Sequence, residues 1–71
     1  RKTVEDNLYG RRIRAFRKLK RIQQVEFAKR IGISTTILGR IERGEKVPVE
    51  ELLQKMADEL MIDIQELKGE V

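Results

Sequence analysis

One segment limits what this chain can become more than any other. Residues 24–43, QVEFAKRIGISTTILGRIER, put Phe27, Ala28 and Ile31 on one face of a short helical stretch. They put Leu38 and Ile41 on one face of the next, with Gly32 between the two. Two short helices meeting at a sharp angle need a small residue where their backbones approach, and Ala28 supplies it. They also need a residue tolerant of positive φ at the turn, and Gly32 supplies it. Phe27, Ile31, Ile33, Leu38 and Ile41 are the apolar anchors on the two arms.

The rest of the chain reads as further helices, and no strand pattern competes. The expected spans are about 5–20, 24–31, 35–43, 49–60 and 64–68. In the first, Tyr9, Ile13 and Phe16 form an apolar stripe with Leu8 and Leu19 beside it, and Asp6 and Asn7 are candidate caps. Gly10 lies inside this pattern and weakens it by roughly 1 kcal/mol relative to alanine. Ser34 has the chemistry to cap the third helix. Gly44 stops that helix, and Pro48 pre-sets the start of the fourth. Val49, Leu52, Leu53, Met56, Ala57 and Leu60 make the fourth helix's stripe, and Asp63 with Glu66 has capping-box spacing for a fifth. The reading is an all-α, compact five-helix domain over residues 1–71.

Composition narrows the function. The 71 residues include no cysteine and no histidine. Disulfides, thiolate nucleophiles, Cys/His zinc sites and imidazole bases are therefore excluded. Ser34 alone cannot form a nucleophile–base pair, so no enzyme is expected, and neither cofactor nor metal. Charge is divided unevenly. Residues 1–46 carry fourteen Lys/Arg against five Asp/Glu, a net +9, whereas residues 47–71 carry two against seven, a net −5. That split predicts a basic face and an acidic end, and favours an acidic partner. No apolar run is long enough for a signal peptide or a membrane span, so a cytoplasmic location is expected. A chain opening on Arg1 rather than methionine is expected to have had residues before it.

The segment 24–43 has the spacing of a helix-turn-helix, although a helical hairpin with no nucleic-acid role has the same spacing. With its flanks the chain resembles the lambda-repressor-like, Cro/repressor-type (XRE) helix-turn-helix family over residues 9–67. The residues that carry the likeness are Ile13-x-x-Phe16-Arg17, Gln24-x-x-Phe27-Ala28, Ile31-Gly32-Ile33-Ser34 and Ile41-Glu42-Arg43-Gly44, followed by Pro48 and by Leu60 two residues before Ile62.

The resemblance implies a sequence-specific, double-stranded DNA-binding transcriptional regulator whose helix 35–43 lies in the major groove. Thr35 and Thr36 match base-reading positions. Arg40 matches a position that pairs with guanine or contacts a phosphate. Gly39 allows close approach without readout. Gln24 matches a phosphate contact that sets the docking register, and Arg43, Lys46 and Arg12 match backbone contacts. For Lys29 and Arg30 a solvated face is the plainer expectation. Arg17 and Glu42 match a family ion pair that ties helix 3 to helix 1 and holds the arginine near the phosphates. The family also implies a homodimer on a palindromic operator with half-sites roughly 34 Å apart. Ile64, Leu67 and Val71 are the candidate dimer contacts, with Ile62 beside them; ordinary core is the competing reading, and the better one for Ile62 and Leu67.

Departures from the family are Gln23 and Val49 at capping positions, and Met61 where glycine is usual. Ile37 lies off the inner stripe. A second reading keeps the fold but makes it a protein-interaction module, such as an antitoxin or co-activator adaptor. Such a module has no need of Gln24, Thr35, Thr36 and Arg40.

Overall fold

In the computed structural model the described residues are 2–69, with side chains from Tyr9 onward. The chain forms α1 (Lys2–Leu19), α2 (Gln24–Ile31), α3 (Thr35–Glu42), α4 (Glu50–Leu60) and α5 (Ile64–Lys68). Among the described residues there is no strand, as expected, and no helix is long and apolar enough to cross a membrane. Helix α1 packs on α3, α4 and α5; α2 packs on α3 and α4; and α4 packs on α5. Ile13, Phe27, Leu38, Ile41, Met56, Leu60 and Leu67 are fully enclosed where these helices converge. Each comes from a stripe recurring every three to four residues, so burial of those stripes drives the packing.

Helix boundaries follow their caps. The Ser34 hydroxyl accepts the Ile37 backbone N–H at 3.1 Å, and the Asp63 carboxylate accepts that of Gln65 at 3.1 Å. Gln23 and Val49 precede α2 and α4 without a side-chain cap, which leaves those two starts weaker. Helix α3 ends at Glu42 and α4 starts at Glu50, each one residue inside the expected span. Helix α1 begins at Lys2, so Asp6 and Asn7 sit within its backbone instead of ahead of it. Their side chains and that of Leu8, like Val71, lie outside what is described.

Four helices close with the same pair of backbone bonds, the Schellman arrangement. At the end of α1, Ile22 N–H reaches Arg17 O (3.1 Å) and Arg21 N–H reaches Lys18 O (2.9 Å). Equivalent pairs run from Ile33 and Gly32, from Glu45 and Gly44, and from Ile62 and Met61. The residue at the turn must be left-handed. Gly32 and Gly44 adopt that conformation freely, but Arg21 (φ 61°) and Met61 (φ 60°) do so with a Cβ in the way.

Several expectations need correction. Gly10 is not a weak point. A Cβ there would stand 2.3 Å from the Ile41 carbonyl oxygen and 2.8 Å from that of Glu42, so α1 can lie on the end of α3 only with glycine at the crossing. Leu19 is 71% exposed and Val49 67%, because both fall just beyond the turns where their stripes meet the core. Leu67 is 0% exposed. It belongs to the core beneath α1 and α4 and is unavailable as a dimer contact. Ile62 and Ile64 are half-buried against the same core.

Replacing Met61, which is 78% exposed, with glycine removes left-handed strain and little packing. Met61→Gly should therefore stabilise the fold by about 0.5–1 kcal/mol, net of glycine's extra unfolded-state entropy. Gly10→Ala should destabilise it by on the order of 3 kcal/mol, since backbone must move. Thermal unfolding reads both, as a rise of a few degrees against a much larger fall.

Candidate nucleic-acid interface

The site is built around a carboxylate that α3 would not tolerate alone. Glu42 is the last residue of α3, where unpaired carbonyls repel a negative charge. Arg17 answers it from α1 with two parallel bonds, Nε to Oε2 at 2.7 Å and Nη2 to Oε1 at 3.0 Å. Its remaining Nη1 donates to the Ile22 carbonyl at 2.8 Å, so the guanidinium is engaged on every nitrogen. Both residues are 7% exposed. The expected pair is therefore present, with the arginine turned inward and bonded through Nε, Nη1 and Nη2.

Gln24, at the first position of α2, completes the cluster by donating from Nε2 to Glu42 Oε1 at 3.1 Å. A carboxylate only accepts, so the amide nitrogen must be the end that faces it. Gln24, Gly39, Glu42, Arg43 and Arg14 line a shallow cleft of about 480 Å³. Along α3, Thr36 and Arg40 stand four residues apart on one exposed face, while Thr35 is half-buried at the helix start. Lys46 is exposed in the loop that follows. Ile37 is half-buried against the core.

Arg43 lies just beyond α3 and folds back across it. Its Nη1 is 3.1 Å from where a Cβ on Gly39 would stand, so the glycine leaves the space that the guanidinium uses. The same guanidinium pairs with Glu45 at 3.0 Å. The hydrogen bonds from Arg43, then its charge, hold the Glu45 carboxyl below the usual glutamate range, and the Arg40 charge adds to this. Reciprocally, Arg43 is pushed above its ordinary value, chiefly by the hydrogen bonds to Glu45.

Arg12 does not join this cleft. Its Nη1 donates to the Glu66 carbonyl at 3.2 Å, and its guanidinium rests over Gly69, so it closes the end of α5. Arg30 is more than a solvated charge, since it bridges Glu26 at 3.0 Å and Glu59 at 3.4 Å and so ties α2 to α4. Arg14, overlooked as an individual site residue, lines both this cleft and a neighbouring basin formed by Arg11, Arg12, Ala15, Lys18 and Glu42. Its spacing offered a signal: it lies one turn before Arg17 and one turn after Gly10, on the flank of α1 that meets α3. Among the described residues no group of His, Cys, Asp and Glu is arranged to hold a metal.

Glu42→Ala should cost about 3–5 kcal/mol, because Arg17 is left charged and buried without a partner. The double change Arg17→Met with Glu42→Leu should cost clearly less, and denaturant unfolding compares the two. In a pH titration followed by NMR, the Glu45 carboxyl should have its midpoint below that of an ordinary glutamate. Arg43→Ala should return it upward.

Comparison with known proteins agrees with this architecture. Residues 13–67 match the helix-turn-helix family HTH_3. The chain is 53% identical over 64 residues to an uncharacterised HTH-type transcriptional regulator of Bacillus subtilis, YazB, covering 90% of this chain and 93% of that protein. It is 37% identical over 59 residues to the ImmF control region 10 kDa protein of Bacillus phage phi105, covering 83% of this chain and 66% of that one. Among solved structures, the restriction-modification controller protein C.AhdI of Aeromonas hydrophila superposes with a TM-score of 0.85 at 28% identity, over 90% of this chain and 97% of that chain. The clp gene regulator ClgR of Corynebacterium glutamicum superposes with a TM-score of 0.87 at 28% identity, over 92% and 69%. The expected resemblance holds: the chain belongs to the XRE-type helix-turn-helix family of DNA-binding transcriptional regulators.

Proposed function

We propose that this protein is a sequence-specific regulator that reads double-stranded DNA as a homodimer, with α3 in the major groove and a palindromic operator as its target. The observation that carries this reading is the exposed face of α3. Thr36 and Arg40 project from one side of a helix whose far end is locked by Glu42, Arg17 and Gln24. Base readout falls to Thr35, Thr36 and Arg40. A threonine methyl packs against thymine, and an arginine fork fits the O6 and N7 of guanine. Gln24, Arg43 and Lys46 take backbone phosphates, and Arg14 joins them from α1. Gln24 uses one amide hydrogen on Glu42, and its second is available for a phosphate oxygen. Arg17 acts through position, by holding α3 against α1, and does not touch DNA. The reading requires no catalysis, cofactor or metal, and places the protein in the cytoplasm with its DNA.

One recognition helix reads too few base pairs for tight binding, so the domain works in pairs. The surface around Met61, Ile62 and Ile64, on the acidic side of the fold, is the part left for the partner subunit. Selection of binding sites from random duplex DNA should yield a palindrome with half-sites about one helical turn apart. Against that operator, Arg40→Ala should lose about 1–3 kcal/mol of discrimination at one base pair, whereas Gln24→Ala should weaken all sequences alike. The logarithm of affinity should fall with that of salt with a slope on the order of −5, for about six phosphate contacts. A slope near zero, with no enriched sequence, would instead favour the protein-interaction module.

A further inference from the structure

Arg43 already holds an anion. Its Nε donates to Glu45 Oε2 at 3.0 Å and its Nη2 to Glu45 Oε1 at 3.3 Å. Two parallel N–H···O bonds to two oxygens of one anionic group form the fork that an arginine presents to a phosphate. The carboxylate is placed there by the backbone. Gly44 turns left-handed (φ 81°) and Glu45 N–H bonds the Arg40 carbonyl at 2.8 Å, so Glu45 hangs from the last turn of α3. The arginine is placed by the helix itself, since Gly39 leaves the room in which its guanidinium folds back. Both side chains are exposed. No burial locks them together, and a competing anion from solvent can reach the same nitrogens.

We infer that Glu45 is an internal competitor of the DNA backbone, a carboxylate occupying the phosphate fork of Arg43 that a phosphate must displace before Arg43 can join the interface. This rests on the reading of this face as the DNA-binding surface. The exchange replaces one charge-assisted fork with another, so Arg43 adds less to binding than a free arginine would. It also leaves a released carboxylate beside a row of phosphates. Part of the counterion release from the phosphate that Arg43 neutralises is thereby offset. Glu45 thus holds down the sequence-independent grip of the domain, and with it the time spent on DNA that carries no operator.

The test is a gain of affinity, which a misfolded variant cannot mimic. Glu45→Gln keeps the shape of the side chain and removes its charge. Binding is measured over a salt series to a duplex of scrambled sequence, for wild type, Glu45→Gln, Arg43→Ala and the double variant. Glu45→Gln should bind roughly three-fold more tightly, within the range for loss of an exposed ion pair, and its log–log salt slope should steepen by up to ~0.9. With Arg43 already removed, the same change should give less than half of that gain. An equal gain with and without Arg43 would mean simple repulsion by Glu45 and would overturn the competition. Unchanged or weaker binding by Glu45→Gln would overturn it too, since Glu45 would then be orienting Arg43 and not occupying it. If wild type binds no duplex at any salt, the DNA-binding reading falls first and this inference with it. Wild-type binding with an inert Glu45→Gln removes this inference alone.

Discussion

The buried bond between Arg17 and Glu42 is the constraint around which this surface is organised. A carboxylate at the C-terminal end of α3 works against the helix dipole, and in the interior it works against desolvation as well. Arg17 offsets both with a two-point contact, and Gln24 adds a third donor. Because Arg17 also grips the Ile22 carbonyl, the end of α1, the α1–α2 loop, the start of α2 and the end of α3 are joined at one cluster. Such a cluster contributes little net stability relative to an apolar core. Its contribution is orientation. Stability comes from Phe27, Ile13, Leu38 and their neighbours, enclosed where the helices converge. The ion pair fixes the end of α3 to α1, and with it the outward setting of the face that carries Thr36 and Arg40.

Two glycines let backbone and side chain come close around this pair, and the first of them brings its two helices together. At Gly10 the carbonyls of Ile41 and Glu42 occupy the space of a Cβ, so α1 lies against α3 near enough for Arg17 to reach across. At Gly39 the space is taken from solvent by Arg43, with the Gln24 amide 3.8 Å from the same point. One glycine thus sets the distance between two helices, and the other sets where a cation rests on the outer face of α3. The turns use the same conformational freedom less evenly. Gly32 and Gly44 close α2 and α3 without strain, whereas Arg21 and Met61 carry a Cβ through a left-handed turn at either end of the remaining framework. The two helices of the binding unit therefore end in the unstrained turns.

These particulars divide what could be read from the residues alone from what could not. Helices α2 and α3 were legible almost to the residue, because their signals are local: Ser34 at a cap, Gly32 at a turn, and Phe27, Ala28, Ile31, Leu38 and Ile41 at helical spacing. The Arg17–Glu42 pair was legible only through family likeness, since its members lie 25 positions apart and neither carries a local cue. Gly10 was misread for the same reason. Propensity describes what a glycine does to its own helix, while the carbonyls that require it belong to another. Arg12 was assigned outward among the backbone contacts, while for Leu67 the core reading was already the better one, and both are claimed by α5 packing on α1. Thr36, Arg40 and Lys46 stand exposed, and Thr35 is half-buried at the start of α3.

The division of charge along the chain takes a different form once folded. The basic part contains acids, and an acid near a phosphate row would weaken binding over roughly a Debye length. Every one of them whose side chain is described is matched to a cation: Glu26 to Arg30, Glu42 to Arg17, and Glu45 to Arg43. Arg11, Arg14, Lys18 and Arg40 meanwhile form no ion pair among the described residues and stand exposed on α1 and α3. The excess positive charge is thus concentrated on side chains free to approach DNA, while the negative charge among them is held by partners. Across the fold, Lys68 pairs with Glu50 and Arg30 reaches Glu59, so α4 is tied to α5 and to α2. The remaining acids of α4 face solvent. On the proposed reading, this division of charge turns the basic side toward the phosphate backbone before any contact is made and orients α3 during approach rather than after it.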